Sequence, residues 1–186
     1  MTVGASSPFT VHDLEGMPDD GRRYELIDGE LLVSPAPGLL HQRVAFRLAR
    51  VLDDACPDEL EVIIAPFAVR PDNCNELQPD VLVARRGDLT DRHLPSAPVL
   101  AVEVYSPSSR LVDANLKRAA YARLGVPSYW LVDPVAPSVT VLRLAGSGEY
   151  RQVAHVAGEE AVDLDAPFPV RVRPVDLTAQ RRRLSG

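Results

Sequence analysis

The stretch VLAVEVYSPSS, Val99 to Ser109, decides how this chain is read. Five of its first six residues are apolar and the remaining one is Glu103. A short apolar run bounded by turn residues reads as a buried strand. An ionised carboxylate buried without a partner costs several kcal/mol or is forced neutral, so Glu103 needs a compensating charge. The serines that follow end the strand and offer Ser108 or Ser109 as a helix cap. No G-x-S-x-G elbow surrounds them, so they are not read as a nucleophile.

Immediately upstream, LQPDVLVARR reads as the next strand, with Asp80 at the start of its apolar part. If the two strands pair, Asp80 and Glu103 reach one end of the sheet. Adjacent carboxylates repel and raise one pKa. A divalent cation removes that conflict, because Mg²⁺ takes one or two protein carboxylates plus waters and phosphate oxygens. An arginine or lysine partner is the alternative.

Downstream, Arg110 to Leu124 reads as one helix stopped by Gly125. Asp113, Lys117 and Tyr121 recur at i, i+4 and i+8 and share a face. Leu116, Ala120 and Leu124 form the adjoining apolar stripe, which must face the sheet. Lys117 is thereby placed at the rim of the buried face. There it can orient water or neutralise charge developing on a phosphate. The alternative is an exposed Asp113–Lys117 pair worth ~0.3–0.5 kcal/mol. On the first reading, Lys117→Met should leave stability nearly intact.

Around this centre the chain alternates helices and strands, a mixed α/β pattern. Thr10 to Met17 reads as a short capped helix. YELIDGELLVS reads as a β-hairpin about Asp28-Gly29, the type I′ signature. Leu40, Val44, Leu48, Val51 and Leu52 stripe a helix over Leu39–Ala55. EVIIAPFAVRP reads as a strand with Pro66 at an edge or bulge. SYWLVDP, SVTVLRLAG, EYRQVAHV and PVRVRPVDL read as further strands. Residues 1–178 fit one domain, and residues 179–186 a flexible basic tail.

Composition narrows the class. Hydrophobic residues make up 46% and charged residues 25%, ordinary for a globular protein. The net charge of −6 gives no global pull toward nucleic acid, although local basic clusters occur at Arg85-Arg86 and Arg181–Arg183. Cys56 and Cys74 match no zinc spacing and suit reduced thiols. With no signal peptide and no membrane-length apolar run, the expectation is a cytoplasmic protein without membrane contact.

Pro79-Asp80 followed by Glu103 in VEV resembles the PD-(D/E)XK nuclease superfamily. The usual motif is Glu-x-Lys, and here Tyr105 stands at the lysine position. YELIDGELLVSPAP, QPDVLVA, VEVYSPSS and DANLKRAAYARLGVPSYWLVDP resemble the Uma-two family, in which the lysine has migrated onto the helix, corresponding to Lys117. The likeness runs from about Phe9 to about Val175. It implies a restriction-endonuclease-like core: a mixed β-sheet flanked by helices, with an N-terminal β-hairpin. It implies Asp80 and Glu103 as ligands of Mg²⁺ or Mn²⁺ and Lys117 as the cation at the phosphate or water. Glu25 matches an upstream motif as an extra acid, with Glu30 its rival. His41, Asp113 and Tyr121 match family positions as auxiliary residues. The implied activity is metal-dependent endonucleolytic hydrolysis of DNA, possible in a homodimer. The alternative is a nuclease fold without turnover, serving nucleic-acid or protein binding.

Overall fold

The structure is a computed structural model that describes residues 8–106, 110 and 112–179. Ser108, Ser109, the side chain of Asp113 and the tail beyond Ala179 therefore lie outside the described residues. Helix α1 (Val11–Glu15) begins at Thr10 with a capping box to Asp13. Strands β1 (Arg23–Ile27) and β2 (Glu30–Ser34) form the expected hairpin. Its two turn residues have positive φ, 52° at Asp28 and 78° at Gly29, as a type I′ turn requires. Helix α2 (Leu39–Asp53) buries Val44, Ala45, Leu48, Ala49 and Leu52.

Strands β3 (Leu60–Ile64) and β4 (Ala68–Asp72) replace the single strand expected over EVIIAPFAVRP. Pro66 lies between them. It has no N–H to give a ladder, and the chain leaves one sheet there and enters the other. The strand expected over LQPDVLVARR divides in the same way. β5 (Asn75–Leu77) ends before Pro79, and β6 (Val81–Arg85) starts after Asp80.

The remaining strands are β7 (His93–Leu94), β8 (Leu100–Val104), β9 (Ser128–Asp133), β10 (Ser138–Leu144), β11 (Tyr150–Ala157), β12 (Val162–Leu164) and β13 (Val170–Val172). The helix expected over Arg110–Leu124 is compound: a π-helical stretch, Val112–Lys117, runs into α3 (Arg118–Arg123). No proline or glycine marks that change in the sequence. PVRVRPVDL is a strand only as far as Val172. Pro174 then opens helix α4 (Pro174–Thr178) at the first-turn position where its missing N–H costs nothing.

The main sheet has the order β11-β10-β9-β8-β6-β3, antiparallel except for β8 beside β9. That parallel pair needs a crossover, and the π-helical stretch with α3 supplies it. A second sheet, β2-β1-β5-β4-β7, carries the hairpin. Alternation along each strand gives the main sheet an apolar face on both sides. Leu100, Val102, Val104, Trp130 and Val132 pack with α2 on one face. Ala101, Tyr129 and Leu131 pack with Ala120 and Tyr121 of α3 on the other. Glu103 shares its parity with Ala101, so it faces α3. No helix among the described residues is long and apolar enough to cross a membrane.

Candidate active site

The site lies where the two sheets meet. In the antiparallel register Val81 faces Val102, so the next step outward sets Asp80 beside Glu103. Strand β1 of the second sheet comes alongside. Its alternation turns Arg23, Glu25 and Ile27 to one side, and the Glu25 carboxylate accepts the Gln78 backbone N–H at 2.8 Å. A cavity of about 200 Å³ results, lined by Arg23, Glu25, His41, Asp80, Glu103 and Lys117. A larger hollow of about 680 Å³ along the outer side of α2 contains none of these carboxylates.

Lys117 answers the question raised by Glu103. Its ammonium is almost fully buried and lies 3.1 Å from Glu103 Oε1 and 3.0 Å from Glu25 Oε2. Tyr121 donates its hydroxyl to Glu103 Oε1 at 2.9 Å. Burial, with the charges of Glu103 and Glu25, pushes the Tyr121 phenol pKa well up, so it remains a donor. The one-face prediction for Lys117 and Tyr121 therefore has a structural counterpart, but the lysine is inside and not at a rim. Its burial overturns the expectation that Lys117→Met costs little. Removal would leave two buried carboxylates without their cation.

Asp80 has a separate set of partners. Its Oδ1 accepts from both terminal nitrogens of Arg23 at 3.0 Å. Its Oδ2 accepts the Val104 backbone N–H at 2.8 Å and lies 3.0 Å from His41 Nε2. Burial alone would raise the Asp80 pKa. The His41 hydrogen bond and the Arg23 charge outweigh it and hold Asp80 below the ordinary carboxylate range. His41 thus contacts the site, and not merely the start of its own helix. Its Nδ1 is buried without a hydrogen-bond partner among the described residues.

The expected Asp80–Glu103 repulsion is met by the chain's own cations, Arg23 and Lys117. Glu30 pairs with Ile27 at the turn end of the hairpin, is exposed, and does not line the cavity. Tyr105, at the usual lysine position, lies under the guanidinium of Arg110, 4.6 Å from its ring centre. Sequence reasoning missed Arg23. The available signal was its i, i+2 spacing from Glu25 on a strand.

The donors suit a hard divalent cation. Asp80, Glu103 and Glu25 line one cavity with carboxylates, the ligand type that Mg²⁺ or Mn²⁺ takes, and each is held by the chain's own donors. No three acidic, histidine or cysteine side chains among the described residues form a ready cage. Mg²⁺ commonly takes only one or two protein carboxylates and completes its shell with water. Asp80 and Glu103 are the residues that would hold it.

Comparison with known proteins bears on the family and the fold. The Uma2 family, described as putative restriction endonuclease, matches residues 11–179. The chain belongs to this family. It is the Uma-two family that its motifs resemble. A crystal structure of a putative nuclease belonging to DUF820 from Anabaena variabilis ATCC 29413 shares the fold, with a TM-score of 0.67 at 18% identity. The match covers 92% of this chain and 98% of that one. No curated protein matches the chain. The restriction-endonuclease-like, mixed α/β fold is thereby established for this Uma2 member, and its family is one of nuclease-like proteins.

Proposed function

We propose that this Uma2 protein is a divalent-metal-dependent endonuclease that hydrolyses DNA phosphodiester bonds by in-line attack of water. The observation that carries the reading is Lys117. An ammonium delivered from the helix is held at the cavity between Glu25 and Glu103, next to Asp80. Placing a lysine there costs its solvation, which the paired carboxylates offset, and it leaves a fixed positive charge at the cavity.

When bound, the metal would polarise the phosphate and lower the pKa of a coordinated water. Asp80 and Glu103 would hold it. Glu25, Glu103 and Tyr121 fix the position of the Lys117 nitrogen. Lys117 stabilises the negative charge that grows on the phosphoryl oxygens, where a preorganised cation acts most strongly. One P–O bond forms from water and one P–O bond breaks, so the products are a phosphate monoester and an alcohol.

The test is cleavage of plasmid and linear DNA, with an RNA control, in Mg²⁺, Mn²⁺ or EDTA. Glu103→Gln is the informative variant, because its amide oxygen can still accept from Lys117 and Tyr121. It should stay folded, bind Mn²⁺ more weakly in calorimetry, and lose cleavage. Absence of cleavage by wild type with every metal would leave the fold serving nucleic-acid or protein binding without turnover.

A further inference from the structure

Asp80 is fully occupied. A carboxylate offers about four acceptor positions, and the two from Arg23, one from His41 and one from Val104 fill them. A cation cannot coordinate Asp80 until one donor leaves. The Val104 N–H is fixed in the backbone of β8. His41 is rooted in α2, with 12% of its side chain exposed. Arg23 differs from both. It comes from the second sheet and is more exposed, at 17%. It also lines a neighbouring hollow of about 360 Å³, along with Tyr24, Pro37, Gln42 and Gln78. One of its nitrogens already donates to the Gln78 carbonyl on that side, at 3.1 Å. The guanidinium has somewhere to go and a contact to keep when it goes.

The charges point the same way. Three carboxylates line the cavity against two permanent cations, Arg23 and Lys117. Lys117 is committed to Glu25 and Glu103. A dication beside Asp80 would repel the guanidinium at close range. We propose that Arg23 is an exchangeable counter-ion: it holds Asp80 in the metal-free protein and gives that carboxylate up when a divalent cation binds. This rests on the metal-dependent reading above. It adds a residue that opposes metal binding and keeps Asp80 in place until metal arrives.

The test is calorimetric titration of Mn²⁺ into wild type, Arg23→Met and Arg23→Lys, with melting temperatures in EDTA and in Mn²⁺. Arg23→Met should lower the Kd for Mn²⁺ roughly tenfold or more, since one charge-assisted contact no longer competes. It should melt below wild type in EDTA and recover more than wild type when Mn²⁺ is added. Arg23→Lys, which keeps the charge but not the fork, should fall between the two in affinity. Equal Mn²⁺ affinity in wild type and Arg23→Met overturns the exchange and leaves the metal site standing. So does an Arg23→Met protein that stays unfolded in Mn²⁺, because the metal then cannot replace the guanidinium. If neither wild type nor variant binds Mn²⁺, the metal-dependent reading falls too, and the absence of heat in wild type identifies that case.

Discussion

Lys117 and Arg171 each hold a carboxylate at hydrogen-bonding distance, Glu25 and Glu103 in one case and Asp163 in the other. The Arg171–Asp163 pair, across β12 and β13, has the shorter contact, at 2.6 Å against 3.0 and 3.1 Å. Its side chains are 67% and 71% exposed, whereas those around Lys117 are 5% exposed or less. Distance is therefore a poor guide to which pair matters. Water competes for the exposed pair and screens it, so such pairs contribute little. At the cavity both partners are almost wholly buried, and each charge depends on the other to remain in the interior.

The comparison is tested most severely at Lys117. Lys117→Met should lower the unfolding free energy by about 3–5 kcal/mol, because it strands two buried carboxylates. Denaturant unfolding in metal-free buffer measures it. A loss no larger than that of a surface variant would show that the cavity ions are hydrated and would break the contrast. Adding Glu103→Gln to Lys117→Met should recover part of the loss, since one stranded charge has gone.

Tyr121→Phe should cost less, about 1–3 kcal/mol, for one hydrogen bond to a charged acceptor. Its shift in thermal midpoint should exceed that of any exposed arginine variant. Asp133 is an intermediate case. Burial would raise its pKa, but Arg110 and the N–H groups of Ala136 and Val135 hold it below the usual value. A lowered folded pKa means that the ionised form stabilises the fold above the unfolded value of ~3.9. That contribution is lost as pH falls through the lower folded value. Asp133→Asn should therefore flatten the acid limb of stability against pH. Arg110 is half-exposed, so the flattening should be modest. Smallest of all, Asp163→Ala should leave the melting temperature unchanged within error. A clear drop there would mean that geometry, and not burial, governs these pairs.

Much of the fold was legible in local pattern. The Asp28-Gly29 turn, the stripe of α2 and the apolar runs of β6, β8 and β9 each follow from steric or hydrophobic rules acting over a few residues. Asp80, Glu103 and Lys117 stood out because an acid in an apolar strand and a lysine beside a helical apolar stripe both conflict with burial. The prolines misled where they changed the partner sheet and not merely the strand. In a local reading Pro66 and Pro79 each lie within one strand, and only the tertiary structure shows that β4 and β5 belong to the second sheet.

By itself, then, the sequence determined the hairpin, the α2 stripe, the central apolar strands, the family motifs and the few polar residues that the core would have to neutralise. It did so because propensity, turn geometry and hydrophobic period are short-range. The tertiary structure alone decided who neutralises whom. Arg23 and Asp80 are separated by 57 residues and Lys117 and Glu25 by 92, and no period along the chain relates them. Their pairing follows from the way the second sheet lies against the ends of β6 and β8. There the cost of burying each carboxylate is offset by a cation from another element.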